Sequence, residues 1–379
     1  MWLHRSATPH VKLVAKAWFG MRSAHGGEIQ SAALRLGVSP AQLLDASASL
    51  VPWTPRFSAQ ALSRGLRDYP DRHHHQLAGL IARIHNLDAS AVLPGNGAAE
   101  LFTWAARDAA GLGTSVCLAP GFADYWRALR CWGVVPLSVP LELLSAAEFP
   151  QPFPLPVDTA GEVLWICNPH NPTGELWSRA SLQPLLRRYR LVICDEAFLS
   201  IVPDGERQSL IPLVANHPNL VVIRSLTKLY GIAGLRLGYA VAQPERLERW
   251  AAWRDPWPVN GLASAAAEQL LKTPARYQRW CLRAQRWVEA EGAWMQEQLA
   301  GLPGITPMPS AANFLLIRAA QSLVPLRKAL EVRHRILLRD CRSFEGLGEN
   351  WLRIGLQSRY GNRRIIRALH KELKAAPLG

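Results

Sequence analysis

Leu220-Val-Val-Ile-Arg224 runs directly into Ser225-Leu-Thr-Lys-Leu-Tyr-Gly-Ile-Ala-Gly-Leu-Arg-Leu-Gly-Tyr239. The first run is short and rich in Val and Ile, which reads as a strand buried on both faces. The second places two hydroxyls (Ser225 and Thr227), a lysine (Lys228) and, farther on, Arg236 in one loop. Hydroxyls with a guanidinium suit a phosphate, and a lysine can lose its proton and attack a carbonyl. Lys228 stands out in composition too. Of 43 basic residues only seven are lysines, and Lys228 is alone between Lys16 and Lys272. Arginine stays protonated in proteins, so a lysine kept among arginines suggests that an amine itself is needed.

The same strand pattern extends in both directions. Ala91–Leu93, Ser115–Ala119, Val134–Val139, Val163–Cys167, Leu191–Cys194 and Leu237–Val241 read as further short strands. Helical stretches such as Ala98–Ala110 and Ser181–Arg188 lie between them. Strands alternating with helices predict an α/β domain with a mostly parallel sheet. Ligands in such sheets bind beyond the carboxyl ends of the strands. From Ala263 the pattern turns helical, with a long helix from Ala275 to Leu299 carrying Trp280, Trp287 and Trp294 on one face; core packing accounts for them. Short strands near Asn313–Ile317, Ile336–Leu338 and Leu352–Leu356 and a last helix complete a smaller α+β domain. The expected division is a basic N-terminal extension (1–24), an arm (25–50), a large domain (51–270) and a small C-terminal domain (271–379).

Composition narrows the function classes. At 379 residues, 49% hydrophobic and 19% charged, the chain is an ordinary globular protein. No apolar run approaches the roughly 20 residues needed to span a bilayer. Six cysteines without a CxxC pair indicate neither a zinc site nor a disulfide framework, so no metal is expected and a reducing cytoplasm fits. The net charge of +14 comes from dispersed arginines without a basic run. That favours anionic small molecules over nucleic acid or a membrane surface.

Three further segments leave strand ends. Gly95-Asn-Gly-Ala-Ala-Glu100 opens a helix, and its small residues let backbone N–H groups near Gly97 and Ala98 approach an anion; an ordinary tight turn reads equally well. Cys167-Asn-Pro-His-Asn-Pro-Thr-Gly174 presents asparagines. Asp195 ends the apolar run Leu191-Val-Ile-Cys194, where a carboxylate is costly unless paired. A protonated ring nitrogen of a cofactor would be such a partner; a helix cap or an arginine are the alternatives.

Taken in order, these segments resemble the fold type I pyridoxal-phosphate enzymes, and more narrowly the class I/II aminotransferases of the histidinol-phosphate branch. The resemblance runs from about residue 25 to 370. It implies pyridoxal 5'-phosphate as cofactor, bonded to Lys228, with Asp195 on the pyridine nitrogen and Asn171 on the ring's 3-oxygen. It assigns the cofactor phosphate to Gly97, Ala98, Ser225, Thr227 and Arg236, and ring stacking to Phe122 of Pro-Gly-Phe-Ala-Asp-Tyr125. It implies that Tyr69 reaches the phosphate of a neighbouring subunit in a homodimer, and that Arg353 holds a substrate carboxylate.

His25-Gly-Gly27, Arg254-Asp-Pro-Trp-Pro-Val-Asn260 and Leu338-Arg-Asp-Cys-Arg-Ser-Phe-Glu-Gly-Leu-Gly-Glu-Asn350 are similar to the L-threonine O-3-phosphate decarboxylase branch, which serves cobalamin biosynthesis. That resemblance implies a phosphorylated amino acid held by His25, Gly26, Asn171, Arg339 and Arg353. Phe198 stands where transaminases of this group usually carry Tyr, and Ser49 where the branch tends to carry Asn. A phosphate-ester aminotransferase, with histidinol phosphate as its first candidate, is the alternative. The three consecutive histidines 73–75 read as a surface loop or helix start.

Overall fold

The computed structural model describes residues 25–143, 148–155 and 159–377. The basic extension expected over 1–24 lies outside them. A seven-stranded sheet runs in the order Val92–Asn96, Leu237–Val241, Leu220–Ser225, Leu191–Asp195, Val163–Cys167, Ser115–Ala119 and Leu137–Pro140. Only Leu237–Val241 runs against its neighbours. The rest form a parallel ladder. The central strands are buried along their whole length, as their unbroken apolar runs require. Two hydrophobic clusters cover the two faces of this sheet.

The sheet is the mostly parallel α/β architecture that the sequence predicts, with local differences. The strand expected over Val134–Val139 forms over Leu137–Pro140, because residues 132–133 still turn out of the preceding helix. The helix expected over Ser181–Arg188 is two short helices, Arg179–Leu182 and Leu185–Arg188; Pro184 lacks the N–H that one continuous helix would need. Of the three histidines, His75 opens a helix, His73 is exposed and His74 is buried. A surface reading of all three fails there, because His74 adopts the left-handed conformation before the helix and turns inward.

A second, five-stranded sheet runs Leu44–Ala46, Ile336–Asp340, Trp351–Gly355, Phe314–Arg318 and Thr306–Pro307. Its first strand comes from the N-terminal arm and pairs parallel with Ile336–Asp340. The 27-residue helix Pro274–Ala300 connects the two sheets in sequence. Its three tryptophans are half-buried, and two are pinned by their indole N–H groups: Trp280 to the Leu229 carbonyl at 2.7 Å and Trp287 to that of Gln357 at 3.1 Å. Among the described residues no helix is long and apolar enough to cross a membrane. None of them forms a group of three or more His, Cys, Asp or Glu side chains that could hold a metal ion.

Candidate active site

The polar ends of the large sheet and two strands of the small sheet enclose a cavity of about 340 Å³. Lys228 lies on its wall, in the short helix Leu226–Tyr230 that follows the strand Leu220–Ser225. Its Nζ sits 5.2 Å from the centre of the Phe198 ring. Burial lowers the Lys228 amine to about 8; the Arg353 charge adds to this and Asp195 opposes it. The neutral, nucleophilic form is therefore accessible near neutral pH.

Asp195 ends its strand inside the same cavity and is buried. Its Oδ2 accepts a 2.6 Å hydrogen bond from the Tyr125 hydroxyl, and its Oδ1 accepts one from the Ala197 amide at 2.9 Å. Burial pushes its carboxyl up to about 6, against the pull of these donors and of Lys228. Both oxygens are thus held, and a cation arriving in the cavity would stabilise the charged form.

The two asparagines of the Cys167–Gly174 loop divide their work. Asn168 bonds Trp177 through both its amide group and its oxygen, at 3.1 and 2.8 Å, and shapes the loop. Asn171 lines the cavity, and its oxygen accepts from the Arg353 guanidinium.

Gly97 caps the helix Ala98–Ala110 at φ +77°, and a Cβ there would lie 2.6 Å from an Arg236 guanidinium nitrogen. Only a glycine lets that guanidinium close over the turn. Ala98, Ser225, Thr227 and Arg236 line the adjoining wall. Arg254 braces this turn from behind, donating to the Pro94 carbonyl at 2.5 Å and lying 3.9 Å from Glu100, which accepts from the Asn96 amide at 2.6 Å. So the Arg254–Asn260 segment acts as scaffold for the turn, with Asn260 capping the helix Gly261–Leu270.

Arg339 and Arg353 enter from the small sheet, both buried. Arg353 donates to the Ser47 carbonyl at 3.1 Å, and its Nε has no partner. Burial, with the Arg339 charge beside it, lowers Arg353 to about 10. Arg339 donates to the Ser343 hydroxyl at 2.7 Å. The arm brings His25 and Gly26 to the mouth. A Cβ on Gly26 would lie 2.2 Å from the Ser47 carbonyl oxygen, and the Gly27 amide donates to the Ser47 hydroxyl at 2.9 Å. The His25 ring meets Phe122 edge-on at 5.7 Å, and burial lowers its pKa.

One residue assigned to the site stands apart. Tyr69 is 80% exposed and stacks on Trp257 at 4.5 Å, outside the cavity of its own chain. Conversely, the sequence reading gives no role to Tyr125, Asp124 or Phe344. Tyr125 follows Phe122 by one helical turn, a spacing that places both on one side of the helix start. Phe344 packs against the Arg339 guanidinium at 4.9 Å.

The donor set fits pyridoxal phosphate. The buried Thr227 hydroxyl has no partner, and the small Gly97 turn lies against Arg236, as a phosphate requires. A half-buried lysine near a buried carboxylate whose hydrogen bonds come from neutral donors suits the aldehyde and the ring nitrogen.

Comparison with known proteins agrees. The sequence model of the family "aminotransferase class I and II" matches residues 42–369. The threonine-phosphate decarboxylase of Salmonella typhimurium is 36% identical over 363 residues, 93% of this chain and 97% of that one. A histidinol-phosphate aminotransferase of Symbiobacterium thermophilum is 33% identical over 326 residues, 83% of this chain and 85% of that one. The crystal structure of L-threonine-O-3-phosphate decarboxylase from Porphyromonas gingivalis superimposes with a TM-score of 0.71 at 28% identity, covering 86% of this chain and 99% of that one.

Proposed function

Because this chain belongs to the aminotransferase class I and II family, and its cofactor is pyridoxal phosphate, we propose that it decarboxylates L-threonine O-3-phosphate to (R)-1-amino-2-propanol O-2-phosphate for cobalamin biosynthesis. One observation carries the reading. Arg339 and Arg353, both buried, occupy paired positions on adjacent strands and line the cavity that holds Lys228. Arg353 is held by neutral groups, the Asn171 oxygen and the Ser47 carbonyl, and its Nε has no partner, so this buried guanidinium is costly without an anion. A substrate bearing a phosphate and a carboxylate supplies one. The 36% identity to the Salmonella enzyme supports the same assignment.

When bound, pyridoxal phosphate acts as the electron sink for bond breaking at the substrate's Cα. In this reading Lys228 carries it, Asp195 holds its ring nitrogen and Asn171 its 3-oxygen. Phe122 covers the ring, and Gly97, Ala98, Ser225, Thr227 and Arg236 hold its phosphate. Arg339, Arg353, His25 and Gly26 orient the substrate's anionic groups. That orientation decides whether the carboxylate or the Cα proton is placed to leave. Lys228, with an amine near neutrality, then returns a proton to Cα. Tyr69 reaches the neighbouring site of a homodimer, and the protein works in the cytoplasm.

A second reading, an aminotransferase of histidinol phosphate, is favoured by the 33% identity to the Symbiobacterium enzyme. Phe198 opposes it, since its ring has no hydroxyl to donate to the cofactor. The test is to compare L-threonine O-3-phosphate with L-threonine. Decarboxylation that depends on the phosphate supports the proposal. Equal rates would contradict the role given to the arginine pair.

A further inference from the structure

We propose that Tyr125 is a positioning residue for the cofactor, acting through Asp195: its hydroxyl keeps that carboxylate ionised and turned toward the ring nitrogen. The inference rests on the role of Asp195 given above and extends it to a residue outside the cavity wall.

The geometry is specific. The Tyr125 hydroxyl donates to Asp195 Oδ2 at 2.6 Å, while the Ala197 amide holds Oδ1 at 2.9 Å. The two donors fix the plane of the carboxylate. Tyr125 itself cannot swing away. It is buried, and its ring lies edge-on to Phe102 at 5.1 Å and to Phe122 at 5.6 Å, and tilted over Trp165 at 5.5 Å. Phe122 is the residue read as covering the cofactor ring. One tyrosine therefore braces both the face and the nitrogen edge of the cofactor.

The hydroxyl also has an electrostatic task. Few charges favour the ionised carboxylate. The groups facing Asp195 are Tyr125 and Asp124 from the helix Asp124–Arg130, Cys167 from the neighbouring strand and Lys228 from the helix Leu226–Tyr230. Asp124 opposes ionisation, and the Cys167 thiol, 4.0 Å from Oδ2, is itself held neutral by burial. Lys228, lowered to about 8, is charged at the acid end and is the one cation among these groups that favours ionisation. Burial has already carried Asp195 to about 6. Without the Tyr125 donor, the carboxyl of the empty site would move up into the neutral range.

The experiment is the dissociation constant of pyridoxal phosphate from the full chain, measured from pH 5 to 9 for the native protein, Tyr125→Phe and Asp195→Asn. Phe keeps the ring contacts and removes only the donor. An upward shift of about one unit in the Asp195 carboxyl predicts weakening of roughly five- to tenfold between pH 5 and 6, fading to none above pH 8. Weakening equal at all pH values would show that Tyr125 matters only for packing and would overturn the proposal. So would unchanged binding across the range. Asp195→Asn separates the two readings: if it binds as tightly as the native protein, the Asp195 assignment fails; if it binds weakly while Tyr125→Phe is unaltered, only the Tyr125 proposal fails.

Discussion

Arg339 and Arg353 are cross-strand partners in the small sheet, and both side chains reach the cavity that holds Lys228. Antiparallel partners point to the same face, so the pairing itself aims two cations at one point. Neutral groups hold Arg353 in place: the Asn171 oxygen, the Ser47 carbonyl and the face of Phe314 at 4.8 Å. Under the proposed function this pair is the site for the substrate's anions, and it lines the same cavity as Arg236.

Replacing either arginine by glutamine should lower kcat/KM for the phosphorylated substrate by roughly ten- to a hundredfold, the value of about 1.5–3 kcal/mol for a charged hydrogen bond. Steady-state kinetics check it. Arg353→Lys should recover little, because a point charge cannot reproduce the forked contacts to Asn171 and Ser47.

Cofactor capture by the empty protein should depend on pH through Lys228. Its amine is lowered to about 8, so the neutral form gains tenfold per unit below that value and saturates above it. The loading rate, followed by absorbance, should show the same break. Arg353→Gln removes a neighbouring charge that lowers this amine, so the break should move to higher pH.

Gly26→Ala should loosen the arm without unfolding the protein. The new Cβ would meet the Ser47 carbonyl oxygen at 2.2 Å, and backbone cannot yield as a side-chain tip does. The arm must lift, carrying His25 from the cavity mouth. The expected outcome is a higher KM for substrate, an unchanged melting temperature and unchanged cofactor affinity.

Behind the site, Arg224 bonds the buried Glu196 at 2.8 Å and Glu206 at 2.8 and 3.0 Å. Arg224→Met leaves Glu196 buried without its partner and should cost about 3–5 kcal/mol in denaturant unfolding. Burial alone would raise the Glu206 carboxyl, but the charge and hydrogen bonds of Arg224 outweigh it and hold it below the usual carboxylate range. A depressed carboxyl stabilises above its unfolded pKa, and that stability is lost as pH falls through the folded value. The native protein should therefore lose stability in acid below about pH 4.5, and this part of the acid loss should vanish in Arg224→Met.

Much of this architecture is legible in the sequence because the deciding residues sit in short, fully buried strands. Val163–Cys167 and Leu237–Val241 form with the bounds their apolar runs give. The ends or following segments of Val163–Cys167, Leu191–Asp195 and Leu220–Ser225 carry Asn171, Asp195 and Lys228 respectively, so the motif order gives the site order. Strand ends at the surface are less legible. Leu137–Pro140 is an edge strand with a half-exposed pattern, and its start is decided by the preceding turn. Tyr125 is illegible for another reason: nothing local distinguishes a tyrosine that packs from one that donates to a carboxylate 70 residues away. The pairing of Arg339 with Arg353 is likewise a property of strand register, which the separate strands do not display.

The most direct test is carbon dioxide release from L-threonine O-3-phosphate by the cofactor-loaded protein without any keto acid. The account predicts stoichiometric release with aminopropanol phosphate as product, abolished in Lys228→Ala. No release, together with conversion of the bound cofactor to its amine form by histidinol phosphate, would contradict it and install the aminotransferase.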